Sequence, residues 1–156
     1  MTRALGLALL LAACGGSKCG PPRALVARVI DGDTLVLDSG ERVRLLLVDT
    51  PEITNGKHDC YGEEAAAFTA SLVAGRTVEL TYDEAACADR YGRTLAYVDA
   101  RGVEVNAALV TRGYACLLFI APGGEARRED FARDEAEART ERRGMWGACA
   151  SIPCSR

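Results

Sequence analysis

The chain has 156 residues, 49% of them apolar, with 19 basic and 22 acidic side chains and a formal net charge of −3. That length suits one compact domain around one core rather than two. The acid excess excludes a broadly basic nucleic-acid coat, so any polyanion has to be met at a focused site.

Residues 1–13 read as an export leader of the lipoprotein type. Arg3 supplies a positive region, Ala4 to Leu11 an apolar run too short to span a bilayer, and small residues follow before Cys14. Leu11-Ala12-Ala13-Cys14 resembles a bacterial lipobox, in which cleavage before the cysteine leaves its thiol lipidated and able to hold the protein to a membrane. The alternative is an ordinary signal peptide with an incidental cysteine, and both readings imply export to the cell envelope or the medium. Residues 14–23 then form a tether. Loss of residues 1–13 removes Arg3 and no acid, leaving 18 basic against 22 acidic side chains, net −4. Six cysteines remain beyond Cys14, namely Cys19, Cys60, Cys87, Cys116, Cys149 and Cys154. An even number in an oxidising compartment implies disulfides, and the absence of any C-x-x-C pair argues against a zinc site.

Ala24 to Ile30 is a β-rich run stopped by Asp31-Gly32-Asp33, Thr34 to Leu37 is a second strand, and Asp38 to Glu41 a turn. Arg42 to Val48 is a third strand, continuously apolar from Leu45, so three linked antiparallel strands begin the fold. A polar loop from Ile53 to Cys60 precedes a helix from Gly62 to Ala74, with Ala65, Phe68, Thr69 and Leu72 on one face. Thr77 to Tyr82 and Thr94 to Val98 are strands separated by a loop from Asp83 to Arg93. Val105 to Arg112 is a short helix, Tyr114 to Ile120 an apolar stretch, and about Glu125 to Arg143 a last helix. Phe131, Glu135, Ala138 and Arg142 share a face of that helix while charges cover the rest, which reads as a solvated surface helix without chemistry. The sum is a mainly β, α+β domain over residues 24–147, a five-stranded barrel of the OB type with three helices, followed by a cysteine-containing tail, 148–156.

Taken singly, Asp31-Gly32-Asp33-Thr34 and Asp49-Thr50-Pro51-Glu52 are readable as plain turns. Together, a hairpin brings Asp33 and Asp49 toward one rim, where carboxylates, a backbone carbonyl and water suit calcium better than magnesium or zinc. Arg44 lies five residues before Asp49, an odd separation that puts the two on opposite faces of a regular strand. A bend or bulge unites them; without one, Arg44 is an edge charge. Arg93, in Asp89-Arg90-Tyr91-Gly92-Arg93, is by the same reasoning either a loop charge or part of a site.

Ile30-Asp31-Gly32-Asp33-Thr34, Arg44 to Glu52 and Asp89 to Arg93 resemble, in order, the motifs of the staphylococcal nuclease family. Gly62-Glu63-Glu64-Ala65, Leu95 to Val98, Val105-Asn106 through Val110 and Trp146 extend the resemblance over roughly Ala24 to Trp146. It implies an OB barrel with three helices and a calcium-dependent nuclease that hydrolyses DNA and RNA with little sequence preference and leaves 3′-phosphate ends. It further implies that Asp33, Asp49 and the Thr50 carbonyl hold one Ca²⁺, with Asp31 acting through water. Glu52 is then the group that orients or deprotonates the attacking water, Arg44 and Arg93 clamp the phosphate, and Tyr91 and Arg90 lie against the nucleotide. Cys60 and Cys87 end or border loops that flank the site in this fold, which makes them the expected disulfide pair. A monomer is expected.

Phe119 and Ala121 stand where the family often has tyrosines in its substrate groove, and Lys18 and Lys57 are the only lysines. A single histidine, His58, excludes paired-histidine catalysis, and no serine has a nucleophile-elbow setting. The rival reading is a non-catalytic OB module that binds nucleic acid or protein.

Overall fold

The computed structural model describes residues 17–154, so the leader and the lipobox Cys14 lie outside the described residues. Strand β1 (Arg23–Asp31) turns at Gly32 into β2 (Thr34–Leu37), which pairs antiparallel with both β1 and β3 (Arg42–Leu45). The far end of β1 pairs with β5 (Thr77–Thr81), β5 pairs with β6 (Thr94–Ala100), and β6 returns parallel to β3. That last pairing closes a five-stranded barrel, the expected OB-type architecture. A two-residue β7 (Val103–Glu104) folds back on β6, and β4 (Leu47–Asp49) forms a separate ribbon with β8 (Cys116–Leu118).

Three main helices cover the barrel: α1 (Gly62–Val73), α2 (Val105–Thr111) and α3 (Arg128–Thr140). The expected inner face of α1 is realised, with Ala65 and Thr69 buried and Phe68 and Leu72 packed on the core. The core itself is aliphatic, built from Val26, Leu35, Val43, Leu45, Val98 and Leu109, and closed at one end by Phe131. Among the described residues no helix is long and apolar enough to cross a membrane.

The last helix departs from expectation. A 3₁₀ turn (Glu125–Arg127) precedes α3, which stops at Thr140, and a four-residue α4 (Met145–Ala148) follows. Nor is α3 merely solvated, because Phe131 and Ala138 are fully buried and Glu135 accepts the Leu117 N–H at 3.2 Å. The break comes from Gly144 and Gly113, whose backbones meet so closely that a Cβ on Gly144 would fall 2.4 Å from the Gly113 carbonyl oxygen. The Met145 N–H donates to that carbonyl at 2.9 Å and holds α4 against the end of α2.

This docking decides one of the three disulfides. The expected Cys60–Cys87 bond is not formed. Cys60 pairs with Cys149, which α4 brings to a Cα separation of 6.0 Å, and Cys87 pairs with Cys19. The segment ahead of β1 lies along the loop before Cys87, where the Tyr82 hydroxyl donates to the Pro21 carbonyl at 2.6 Å and the Ser17 hydroxyl donates to Glu84 at 3.2 Å. Cys116 pairs with Cys154. The three loops closed span 68, 89 and 38 residues, and by chain entropy each bond stabilises the fold by about 4 kcal/mol.

The third strand of the sequence reading is in fact two. The chain bends between β3 and β4, where Leu47 takes a left-handed φ of 63°, costing about 1–3 kcal/mol for a branched residue. Fully buried Asn106 of α2 fixes the bend: its amide donates to the Leu46 and Ala96 carbonyls at 3.0 and 3.1 Å, and its oxygen accepts the Val98 N–H at 3.0 Å. Replacing Asn106 with alanine takes the side-chain partner from the buried Leu46 carbonyl and Val98 N–H, while the Ala96 carbonyl keeps the Leu46 N–H at 3.0 Å. Asn106→Ala is therefore expected to lower stability by about 3 kcal/mol in urea unfolding. A loss below about 1 kcal/mol contradicts this role for the side chain.

Candidate active site

The turn between β1 and β2 presents two carboxylates. Asp31 Oδ1 accepts the Asp33 N–H at 3.1 Å, and the Thr69 hydroxyl of α1 donates to the Gly32 carbonyl at 2.7 Å, fixing the turn from below. Gly32 has to lack a side chain here, because a Cβ would lie 2.6 Å from the Thr50 methyl. That close approach lets Asp33 Oδ2 accept both the Thr50 N–H at 2.8 Å and the Thr50 hydroxyl at 3.1 Å, while Thr34 Oγ1 donates to Oδ1 at 3.0 Å.

The bend at Leu47 solves the facing problem of β3 and β4. It re-aims Asp49 so that Arg44, five residues earlier, lies between two acids: Nε is 3.2 Å from Asp33 Oδ1 and Nη2 is 3.3 Å from Asp49 Oδ1. Nη1 donates to the Leu45 carbonyl at 3.0 Å and to the Val48 carbonyl. Arg44, Asp33 and Asp49 are each less than a tenth exposed, so the guanidinium is fixed and desolvated.

Glu52 follows at the cleft edge, where its Oε1 accepts the Thr54 N–H at 2.8 Å and the Thr54 hydroxyl at 2.5 Å. Burial pushes its pKa up, but these hydrogen bonds outweigh it and hold the carboxyl below its usual range. On the opposite wall, Asp89 organises the loop expected to carry Arg93. It accepts the backbone N–H groups of Tyr91 and Arg93 at 2.8 and 3.0 Å and takes Arg93 Nε at 2.7 Å. Arg93 Nη1 reaches Thr34 Oγ1 at 3.5 Å, and Nη2 has no hydrogen-bond partner among the described residues. Tyr91 is 61% exposed, with Arg90 4.8 Å above its ring and Arg93 at 5.5 Å.

All nine residues singled out in the sequence for metal, catalysis or substrate thus line one cleft of about 630 Å³. Leu118 and Ile120 complete its wall, and Ala121 lines an adjoining apolar cavity of about 390 Å³. Phe119, expected in the groove, lines neither and lies under Arg128 at 5.1 Å. Sequence reasoning missed Asp89 and Thr54, which position Arg93 and Glu52. The only signal for them was their spacing of four and two residues from those groups.

Residues 42–148 match the family model described as "Staphylococcal nuclease homologue". The chain belongs to the staphylococcal nuclease family. It is 37% identical over 125 residues to the endonuclease YncB of Bacillus subtilis (strain 168), covering 76% of this chain and 59% of that protein. It is 39% identical over 127 residues to the thermonuclease of Staphylococcus intermedius, covering 78% and 74%. An uncharacterized endonuclease of Escherichia coli O157:H7 is 36% identical over 145 residues, covering 86% and 84%. The chain thus spans about three fifths of the length of YncB and most of the other two.

The cleft fits a hard cation. It is lined by the carboxylates of Asp31, Asp33, Asp49 and Glu52, with no imidazole or thiolate, although among the described residues no group of three or more His, Cys, Asp or Glu is placed to hold a metal ion by itself. Such a set leaves most of a coordination shell to water and suits calcium better than zinc. Burial, and then repulsion from Asp33, push the Asp31 pKa up to about 7.

That shift has a sign. Unfolded Asp31 loses its proton near the ordinary value of 3.8, whereas the metal-free folded chain keeps it to about 7. Metal-free stability therefore falls as pH rises from about 4 to 7. In chelator at pH 8, Asp31→Asn is expected to be more stable than the parent chain by up to about 4 kcal/mol, the gap vanishing at pH 4. Identical pH profiles of urea unfolding for the two proteins contradict this.

Proposed function

We propose that the protein is a calcium-dependent nuclease that hydrolyses phosphodiester bonds of DNA and RNA with little sequence preference, leaving 3′-phosphate ends. The observation that carries the reading is the convergence of an ionised Glu52, a buried Asp33–Arg44–Asp49 group and an arginine with a free nitrogen on one cleft. Asp33, Asp49 and the Thr50 carbonyl would hold the ion, with Asp31 acting on it through water. The ion, when bound, neutralises charge on the phosphoryl oxygens and orients the reacting groups.

Glu52, kept ionised by Thr54, accepts the proton of the attacking water as its oxygen bonds to phosphorus. The bond to the 5′ oxygen breaks on the opposite side, that oxygen taking a proton from solvent in the open cleft, which leaves phosphate on the 3′ oxygen. The two arginines divide the clamp. Arg44 is already engaged by two carboxylates and two carbonyls and supplies a fixed positive field, whereas Arg93 keeps Nη2 available for a phosphate oxygen. Tyr91 and Arg90 provide a stacking platform for a base, which reads neither sequence nor the 2′ hydroxyl and so suits both nucleic acids.

Export is part of the same proposal. Three disulfides support an oxidising compartment, and the lipobox supports membrane attachment through Cys14. A monomer is the simplest form of such an enzyme.

The test is incubation of the purified, oxidised full chain with single-stranded DNA or RNA, in calcium or in chelator. Cleavage is expected in calcium alone, and Glu52→Gln is expected to lower turnover about 10²- to 10⁴-fold. Binding without cleavage by the parent chain instead favours the OB binding module.

A further inference from the structure

A basic element runs from the cleft across the barrel. Arg42 stands on β3 two residues before Arg44, so alternation puts both side chains on the face that carries the cleft, about 7 Å apart. Arg42 lines the cleft itself. Its cross-strand partner on β2 is Val36, and the partner of Val36 on β1 is Arg28. Directly paired residues share a face, so Arg28, Val36 and Arg42 form one row over three strands, with the arginine Cα atoms about 10 Å apart.

Both arginines are exposed, while Val36 between them is buried. Neither makes an ion pair among the described residues, whereas Arg23, Arg127, Arg133, Arg139 and Arg143 each hold a carboxylate. The neighbouring acid Glu41 is occupied, accepting the Thr94 hydroxyl of β6. Asp31, paired with Thr34 two residues along β2 from Val36, belongs to the cleft.

Charge in the cleft makes this row useful. Four carboxylates, Asp31, Asp33, Asp49 and Glu52, face four guanidiniums, Arg42, Arg44, Arg90 and Arg93. Protein charges there nearly cancel, and the chain as a whole is acidic. A polyanionic strand longer than one phosphate therefore needs positive charge beyond the cleft, and Arg28 supplies it, continuing the row from Arg42, which lines the cleft.

We propose that the β1–β2–β3 face bearing Arg28 and Arg42 is a backbone subsite that holds phosphodiesters of the substrate strand outside the scissile one. The arginines contact phosphate and read no base, so the subsite adds affinity and length dependence but no sequence preference. The identity of the strand as a substrate rests on the nuclease reading; the binding of its phosphates does not.

The experiment separates the two. In a Glu52→Gln background, which stops turnover, fluorescence anisotropy measures the binding of a labelled oligodeoxythymidylate dodecamer and of the labelled dinucleotide in calcium. Adding Arg28→Gln, which lies outside the cleft lining, is expected to raise the dodecamer Kd about 3-fold and to reduce the slope of log affinity against log salt by about 0.7, with the dinucleotide unaffected. Adding Arg42→Gln as well is expected to bring the dodecamer loss to about 10-fold and the slope change to about 1.4. Both positions are exposed, so both variants are expected to keep the fold, which their thermal midpoints verify. Unchanged dodecamer affinity and slope overturn the subsite. Equal losses for dodecamer and dinucleotide also overturn it, because they place the arginines at the scissile phosphate. A parent chain that fails to cleave while the dodecamer loss is seen overturns the nuclease reading and leaves the subsite standing.

Discussion

The site depends on one buried ion triad, the Arg44 guanidinium set between Asp33 and Asp49. Buried charges are costly unless each is paired and hydrogen-bonded, and here the pairs join three segments: the β1–β2 turn, the end of β3 and the end of β4. None of the three can shift without leaving a desolvated charge behind. The main-chain carbonyls of Leu45 and Val48 take up further guanidinium hydrogens, which locks the orientation as well as the position.

That triad in turn depends on a bend. Arg44 and Asp49 share a face only because the chain turns through Leu47, and the bend persists because Asn106 satisfies the backbone groups it frees. The hydrophobic core thus contributes to function through a polar residue. Gly32 acts similarly by omission, since its missing side chain is what allows Asp33 to reach Thr50. The disulfides brace the periphery: Cys116 is the register partner of Asp49, so the bond to Cys154 ties the tail beside the strand that presents that acid.

Much of this was legible in the sequence, for identifiable reasons. The β1–β2–β3 meander follows from turn residues set between apolar runs, and α1 from its buried face. The nine site residues, which all line the cleft, were singled out through ordered motifs that set acids and arginines at loop and strand ends. The bend was not legible, since Leu45 to Val48 is uniformly apolar and carries no alternation to show a change of face. The pairing of Cys60 with Cys149 depends on where α4 docks, which is set by the contact of Gly144 with Gly113, a residue remote in sequence from both cysteines. Asp89 stood in the motif around Arg93 without a role of its own, and only its three contacts to Tyr91 and Arg93 show that it positions Arg93.

The central claim is that the triad builds a calcium site from Asp33 and Asp49. Isothermal titration of calcium into the metal-free, oxidised full chain, beside Asp49→Asn, tests it most directly. The account predicts one ion bound per parent chain and binding weakened at least about 10-fold in the variant. No calcium binding by the parent, or equal affinity in both proteins, contradicts it.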